Sequence, residues 1–311
     1  MQPIIFTPLY MERIWGGRKL ENFYGRKLPK PDLPFGEAWE IVDREDEQSI
    51  VTSGEYAGKA LNDLWTQHRE QIFGSKLPES ERFPLLIKIL DSASDLSIQV
   101  HPPAKVAPKL NGEPKTEMWY IADSEPNSKL YVGLKKGANE QTFEESISDG
   151  TVAEQVHAIT PQKGDSIFIE SGRLHAIGAG FLIHEIQQNS DTTYRVFDWN
   201  RTDSSGNPRE LHVEQSLACI DFSDVEPEMD TPNGKTLANC PFFKTTLHQL
   251  KRGEIISNPD PERFSLITVV AGELEGSFTT GQTLLLPVSA DPLIAKDETT
   301  VLQITIPEKS D

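Results

Sequence analysis

Short apolar runs broken by proline and glycine recur along most of the chain. Proline and glycine number 22 and 21 in 311 residues, and short apolar runs between such residues are typical of sandwiches and barrels. The pattern therefore predicts a mainly β fold. The segments that fit strands best are 4–10, 39–42, 49–52, 85–90, 96–102, 166–170, 180–187, 193–199, 265–270, 282–286 and 300–306.

Two segments of the N-terminal part have helical periodicity instead. Apolar residues recur at helical spacing over 60–73 and stop at Gly74, which predicts one helix. A second helix is predicted from Thr142, which forms a capping-box pattern with Glu145, to Gly150, a residue type that often ends helices. The sequence thus predicts a few helices inserted among strands.

The length and one linker-like segment predict two domains. A chain of 311 residues exceeds what one small core needs. Segment 221–235 is acidic, contains two prolines and one glycine, and is typical of a linker. We expect a larger catalytic domain over 1–230, with the helical insertions, and a smaller β domain over 231–311.

Net charge and composition indicate which binding partners and which cellular compartment the protein has. The 48 acidic residues exceed the 30 basic ones and give a net charge of -18, which argues against nucleic acid and anionic membranes. The sequence contains no run of 18 apolar residues, so it predicts no helix that spans a membrane. Cys219 and Cys240 are too few for a disulfide framework, and residues 1–10 lack the features of a signal peptide. The sequence therefore predicts a reduced, cytoplasmic protein.

Candidate metal ligands first occur in the segment Leu96-Ser-Ile-Gln-Val-His-Pro102. Residues two apart on a strand point to the same side, so Gln99 and His101 are expected to face one cavity. Ile98 and Val100 then pack on the opposite side.

Two further segments supply a carboxylate and a second imidazole. Glu117 stands where a new apolar strand begins. In segment 164–175, Gly172 is followed three residues later by His175, which resembles the second cupin signature, although Glu170 stands where that signature has proline.

The four side chains together form a set of nitrogen and oxygen donors. Each one alone fits a structural role equally well, and a lone histidine is more often hydrogen-bonded than metal-bound. The combination, with no thiolate, suits a catalytic zinc that keeps room for water. Ligand type leaves iron and manganese open. The candidate ligands are Gln99, His101, Glu117 and His175.

The motifs resemble the type I phosphomannose isomerase family in its short bacterial form. The resemblance rests on LSIQVHP at 96–102, KTEMWY at 115–120, GRLHAI at 172–177 and QNSDTTYR at 188–195, in that order. It implies two cupin-like jelly-roll barrels. Gly281 to Pro287 repeats the cupin spacing with no histidine after it, so the second barrel is expected to be metal-free. A tight hairpin at Ala271-Gly272 is also predicted there.

The resemblance also implies a reaction and a set of roles. Members of this family interconvert mannose 6-phosphate and fructose 6-phosphate through a cis-enediol, with one Zn²⁺ per chain. The ligands would be the four side chains above. Arg195 matches the family's catalytic arginine and would stabilise charge on O1 and O2. Glu185 is the first candidate to move the proton, with Lys115 or a metal-bound water second.

The substrate phosphate needs a local basic pocket in this acidic protein. Ser97, Lys88, Lys115 and Arg201 are the available donors. Lys88 lies in an otherwise apolar strand, and burial of an unpaired ammonium is costly, so it must face a cavity or a partner. A small phosphosugar is the expected partner of a monomer or weak homodimer.

Two other readings of the motifs stay open at this point. One is a different metal-dependent cupin, such as an iron-dependent oxygenase or another sugar isomerase. The other is a non-catalytic sugar-sensing or scaffold protein, which would have no need for the ligands together with Arg195. A coupled assay for fructose 6-phosphate separates these readings.

Overall fold

The computed structural model describes residues 1–202, 206–232 and 234–308. The chain divides into two compact units, each built from separate stretches of sequence. The first unit comprises Met1–Leu9, Ala38–Lys88 and Thr231–Asp311, and the second comprises Tyr10–Glu37 and Ile89–Asp230. The assignment of catalysis to 1–230 and of a metal-free role to 231–311 stays a prediction.

Strands form most of the regular structure. In chain order they are β1 (Ile4–Ile5), β2 (Leu9–Gly17), β3 (Phe35–Ile41), β4 (Leu85–Ser92), β5 (Ile98–Val100), β6 (Glu117–Ser124), β7 (Leu130–Leu134), β8 (Val156–Ile159), β9 (Ser166–Ile169), β10 (His175–Ile177), β11 (Phe181–Gln188), β12 (Tyr194–Phe197), β13 (Thr236–Asn239), β14 (Lys244–Leu250), β15 (Ile255–Ile256), β16 (Ser265–Ala271), β17 (Glu273–Leu274), β18 (Phe278–Thr279), β19 (Thr283–Leu286), β20 (Leu293–Ile294) and β21 (Thr299–Thr305).

The helices are short. They are α1 (Lys19–Asn22), α2 (Leu61–Gln67), α3 (Arg69–Ile72), α4 (Glu140–Asp149) and α5 (Val213–Cys219), with 3₁₀ turns at Ala107–Leu110 and Val152–Glu154. Across the described ranges, none of them has the length and apolar character needed to cross a membrane.

Two open sheets contain the strands of the second unit. One has the strand order β12-β5-β10-β7-β8 and the other β2-β3-β4-β11-β6-β9. Buried side chains from both sheets form one apolar cluster, which includes Val132 and Ile177 of the five-stranded sheet and Trp119, Ile121 and Ile183 of the six-stranded sheet. The two sheets therefore pack face to face and enclose a shared core.

The outer face of the five-stranded sheet is covered by helices. Ile98 and Val100 of β5 pack in a second cluster with Phe143 of α4 and Cys219 of α5. Because side chains alternate along a strand, Gln99 projects from the opposite face, into the space between the two sheets. This alternation places the first predicted ligand inside the sandwich.

The first unit contains its own six-stranded sheet. Its order is β1-β19-β16-β21-β14-β13, and β15-β20 and β17-β18 form two-stranded ribbons. Ile267 and Val269 of β16 pack with Leu284 of β19 and Val301 of β21 in its apolar core.

The mainly β fold with a few helices is confirmed. The sheets are open, and the two-barrel arrangement stays a prediction. The predicted helix over 60–73 divides into α2 and α3 at His68, whose backbone leaves the helical region. Gly150 ends α4 in the left-handed conformation, as predicted.

Three local predictions were wrong. The N-cap of α4 is Asn139, whose side chain accepts from the Thr142 backbone N–H, so the helix starts one turn before Thr142. Segment 49–52 makes only isolated bridges. The turn at Ala271-Gly272 does not pair β16 with β17, because β17 pairs with β18.

Candidate active site

Three side chains form a row across the five-stranded sheet. Gln99 on β5 has His175 of β10 and Arg195 of β12 as its direct antiparallel partners. Directly opposite residues of antiparallel strands project from the same face. Arg195, Gln99 and His175 therefore all project toward the interior of the sandwich.

The Gln99 amide contacts its neighbours through both of its ends. Its Nε2 lies 3.3 Å from His175 Nε2, and its Oε1 accepts a hydrogen bond from Ser97 Oγ at 3.3 Å. The amide oxygen and nitrogen are nearly equal in shape, so a half-turn of the amide brings Oε1 beside His175. Gln99 can thus offer an oxygen ligand without moving its backbone.

Backbone carbonyls fix the orientation of both imidazoles. His101 Nδ1 lies 3.0 Å from the Thr192 carbonyl oxygen, and His175 Nδ1 lies 2.9 Å from the Arg173 carbonyl oxygen. A carbonyl only accepts, so each Nδ1 must carry a proton, and in the neutral imidazole Nε2 then presents a lone pair. The two ring centroids are 4.7 Å apart.

A glycine joins the two histidine segments. The Gly172 backbone N–H donates to the His101 carbonyl oxygen at 2.9 Å. Gly172 has a φ of 100°, in the left-handed region that side-chain-bearing residues rarely adopt. This turn lets the chain reach His175 from β9, which explains why glycine precedes the histidine in the motif.

Glu117 reaches the same point from the other sheet. It is the first residue of β6, and its carboxylate lies 3.5 Å from His101 Nε2 and 3.7 Å from His175 Nε2. The ligand atoms of these three side chains all lie within 4.8 Å of one another. All three side chains are buried.

The spacing and chemistry of this group fit a metal ion. Ligands about 2.1 Å from a tetrahedral ion lie roughly 3.4 Å apart, close to the observed contacts with Glu117. Burial lowers the pKa of His175 although Glu117 raises it, so the neutral imidazole is favoured. A neutral Nε2 and a carboxylate then face each other with lone pairs only, an arrangement that a cation between them stabilises.

Lys115 adds a buried positive charge beside this group. Its Nζ lies 3.4 Å from Glu117 Oε2. Burial lowers the pKa of Lys115, but the carboxylates of Glu117 and Glu185 outweigh burial and raise it above its usual value. Lys115 is therefore a charged ammonium at neutral pH.

Glu185 lies on the interior face of β11. Its direct partner on β6 is Trp119, whose indole N–H donates to Glu185 Oε1 at 3.1 Å. The Glu185 residue is 4% exposed. A carboxylate this well shielded, beside an ammonium and an indole donor, has the surroundings of a functional acid or base.

Arginines cluster at the β12 edge of the site. Arg195 Nη1 donates to the Glu210 carbonyl oxygen at 2.8 Å. Its Nε is buried and makes no hydrogen bond within the described part of the chain. Burial and then the nearby Arg209 charge lower the pKa of Arg195 from its usual high value. A guanidinium with an unused donor is available for a ligand.

Arg201 is held by a carboxylate that the motifs did not reveal. Asp198 accepts from both Arg201 and Arg209, with a distance of 2.7 Å from Arg209 Nε to Asp198 Oδ2. Burial raises the pKa of Asp198, but the two arginine hydrogen bonds outweigh burial and lower it. The sequence signal for this group was two aspartates, Asp198 and Asp203, among three arginines in segment 195–209.

The structure thus brings most predicted residues together. His101 and His175 contact Glu117, Gln99 contacts His175, Lys115 contacts Glu117, and Ser97 contacts Gln99. Lys88 lies in the first unit, buried in β4 with its Nζ 5.0 Å from the centroid of the Trp39 ring. Arg201 is paired with Asp198. The contacts of the described residues do not test phosphate binding. The phosphate-binding roles of Ser97, Lys88 and Arg201 therefore stay predictions.

Sequence reasoning missed Trp119 and Thr192. Trp119 bonds Glu185, and its ring lies edge-on to His175 with centroids 5.5 Å apart. Trp119 belongs to the KTEMWY motif, which was the available signal. The Thr192 contact uses a backbone carbonyl, which carries no side-chain signal.

Known proteins resemble this chain along nearly its whole length. A sequence profile described as "Phosphomannose isomerase type I, catalytic domain" matches residues 4–115. Mannose-6-phosphate isomerase ManA of Bacillus subtilis is 37% identical over 303 residues, which cover 92% of this chain and 93% of that protein. Mannose-6-phosphate isomerase of Streptococcus mutans is 34% identical over 289 residues, covering 90% and 88%.

A solved structure shows the same fold. The crystal structure of the mannose 6-phosphate isomerase from Bacillus subtilis matches with a TM-score of 0.88 and 32% identity, over 98% of this chain and 100% of that one. Sequence identity of this extent, together with the buried histidine and glutamate group, shows that the chain is an isomerase and belongs to the type I phosphomannose isomerase family.

Proposed function

We propose that this enzyme interconverts D-mannose 6-phosphate and D-fructose 6-phosphate. The observation that carries the proposal is the buried contact of His101, Glu117 and His175 in a chain of this family. Lys115 and Glu185 beside that contact supply the charged and proton-carrying groups that an aldose-ketose isomerisation requires.

One Zn²⁺ per chain is the proposed cofactor. Gln99 Oε1, His101 Nε2, a Glu117 carboxylate oxygen and His175 Nε2 would hold it. Zinc accepts imidazole nitrogen together with carboxylate and amide oxygen, and a set without thiolate suits a catalytic site. When bound, the ion would act as a Lewis acid toward the oxygens at C1 and C2 of the sugar.

Glu185 is the proposed proton carrier. The reaction moves one proton between C1 and C2 through a cis-enediol, so a single group can remove it from one carbon and return it to the other. Lys115 is the second candidate for this step, because its Nζ lies 3.4 Å from Glu117 Oε2, a contact that favours the charged ammonium. Its ammonium instead stabilises negative charge that develops in the transition state.

Arg195 is proposed to donate hydrogen bonds to O1 or O2 as the enediol forms. It projects from the same face as Gln99 and has a buried Nε that bonds no described residue. Charge-assisted hydrogen bonds in a water-poor site stabilise such charge strongly. Arg195 also lies within electrostatic range of Arg201 and Arg209.

Ser97, Lys88 and Arg201 are proposed to hold the phosphate. The three guanidinium groups of Arg195, Arg201 and Arg209 lie near two carboxylates, those of Asp198 and Glu210. That leaves a local positive charge in an otherwise acidic chain, which favours a phosphate dianion. Lys88 is buried in a strand, as the sequence predicted.

The proposal also covers the location of the enzyme, its oligomeric state and the roles of its domains. We propose that the enzyme acts in the cytoplasm on a free phosphosugar, as a monomer or weak homodimer, with catalysis in 1–230 and a metal-free role for 231–311. Size-exclusion chromatography with light scattering tests the oligomeric state.

A coupled assay tests the reaction itself. Purified enzyme is supplied with a panel of phosphorylated hexoses and pentoses, and its metal content is measured on the same sample. The proposal expects fructose 6-phosphate from mannose 6-phosphate, at a higher kcat/KM than for any other sugar in the panel. Preference for another phosphosugar would indicate a different isomerase, and inactivity of metal-loaded enzyme toward all of them would indicate a binding protein.

A further inference from the structure

Trp119 contacts both the proposed proton carrier, Glu185, and a proposed metal ligand, His175. It follows Glu117 by two residues on β6, so both side chains project from the same, interior face of the strand. The Trp119 residue is 1% exposed. A buried indole N–H normally requires a hydrogen-bond acceptor, because an unpaired polar group in the interior is destabilising.

The acceptor of that N–H is Glu185. Trp119 and Glu185 are direct partners in the β6–β11 ladder, and the indole N–H donates to Glu185 Oε1 at 3.1 Å with both groups buried. The rigid indole has few rotamers, so it fixes the position of one carboxylate oxygen. A flexible donor would leave that carboxylate less well defined.

The same ring also contacts a proposed metal ligand. The Trp119 and His175 rings are edge-on, with centroids 5.5 Å apart and an angle of 78° between their planes. This is the favoured geometry for aromatic pairs. The Trp119 indole thus packs against the His175 ring, and its N–H holds the Glu185 carboxylate.

We propose that Trp119 is a positioning residue that sets the place of the Glu185 carboxylate relative to the metal group. This inference rests on the proposed role of Glu185 in proton transfer. Proton transfer depends steeply on the distance and angle between the carboxylate and the carbon-bound proton. A fixed Oε1 reduces the number of carboxylate orientations that are unproductive.

Trp119→Phe is the direct test, since it removes the N–H and keeps an aromatic ring beside His175. We expect kcat to fall about 10-fold, with KM within about 2-fold of wild type, and with bound metal per chain unchanged. Trp65→Phe is the matched control, because Trp65 is fully buried in the first unit and its indole N–H bonds the Ser80 carbonyl oxygen. The control should keep the wild-type kcat.

A double-mutant cycle with Glu185→Gln shows whether Trp119 acts through Glu185. Trp119→Phe should cause no further loss of kcat in the Glu185→Gln background, because the step it assists is already impaired. Independent, multiplicative losses would overturn the proposal. So would a loss of bound metal in Trp119→Phe, which would show an effect through His175.

The cycle also separates this inference from the proposed function. If Glu185→Gln keeps the wild-type kcat, the role of Glu185 fails and the role of Trp119 fails with it. If Glu185→Gln loses activity and Trp119→Phe does not, only the role of Trp119 fails.

One measurement does not depend on the folding of Trp119→Phe. The chain has 5 tryptophans, and ¹⁵N-labelled indoles give separate N–H signals. Replacement of Glu185 by glutamine removes the charge from the acceptor and should move one indole signal clearly. Unchanged indole signals would contradict the hydrogen bond and overturn the proposal.

Discussion

Gln99 and His175 are direct partners on adjacent antiparallel strands, with their side-chain nitrogens 3.3 Å apart. Their strands come from distant parts of the sequence, and only the β5–β10 register brings the two side chains together. The same register row continues to Arg195. The two pairings of β5, with β10 and with β12, thus align two proposed ligands with the proposed catalytic arginine.

Removal of the metal should abolish activity. The buried Nε2 atoms and the Glu117 carboxylate would lose the cation that stabilises their mutual contact. We expect dialysis against EDTA to remove isomerase activity and Zn²⁺ to restore it, measured with the coupled assay. Full activity in a sample shown to be metal-free by elemental analysis would refute the metal role.

His101→Ala should lose bound metal. Its ring supplies one of the proposed nitrogen ligands, and the Thr192 carbonyl aims its Nε2 at the site. Elemental analysis should find well under one ion per chain. His157→Ala changes a partly exposed histidine outside the site and should keep the wild-type metal content. Equal metal content in the two variants would remove His101 from the ligand set.

Arg195→Ala should lower kcat by at least about 10-fold while metal stays bound, if the guanidinium acts on the transition state. Steady-state kinetics and metal analysis on one sample provide the measurement. Arg252→Ala, at an exposed arginine of the first unit, should keep the wild-type kcat. An unchanged kcat in Arg195→Ala would exclude the residue from the mechanism.

Lys115→Met should reduce kcat by at least about 10-fold without reducing metal content. Methionine has a similar length and no charge, so the variant removes the ammonium that lies 3.4 Å from Glu117 Oε2. The carboxylate loses a competing cation and should hold the metal at least as well. Loss of metal in Lys115→Met, with Lys105→Met as an exposed control, would show that the lysine supports the site structurally.

His184 should make stability depend on pH. Burial lowers the pKa of His184 to about 3, so the unfolded chain binds a proton below its ordinary pKa of about 6.5 and the folded chain does not. The folded state is therefore destabilised as pH falls from about 6.5 toward 3. His184→Gln should show a smaller decrease in the free energy of unfolding between pH 7 and about 4.5.

Denaturant titrations of metal-free protein at the two pH values measure this difference. Tyr24→Phe is the control, because it removes the hydroxyl that lies 3.0 Å from His184 Nε2 but keeps the imidazole. Its pH dependence should equal that of the wild type. An equal decrease in the free energy of unfolding between the two pH values for His184→Gln and wild type would contradict the prediction.

Local sequence was sufficient to predict the elements that hold the proposed ligands. Alternation along 96–102 correctly placed Gln99 on the side opposite Ile98 and Val100. Glu117 begins β6, and Gly172 makes the turn before His175. These features depend on strand periodicity and on the conformational freedom of glycine, both of which neighbouring residues determine.

The choice among competing polar partners could not be predicted in the same way. Thr142 has a good capping pattern, but Asn139 one turn earlier is the cap that the structure uses. Arg201 has a side chain suited to binding phosphate, but only the fold shows that it forms an ion pair with Asp198. Both outcomes depend on competition among partners that sequence spacing does not rank.

The sequence by itself determined the mainly β class, the candidate ligand types and the order of the motifs, because these follow from periodicity and side-chain chemistry. Tertiary structure decided which side chains meet. The β12–β5–β10 register aligns Arg195, Gln99 and His175, and the β6–β11 register gives Glu185 its indole donor. Strand register is set by long-range packing and hydrogen bonding, so it becomes visible only when the sheets are assembled.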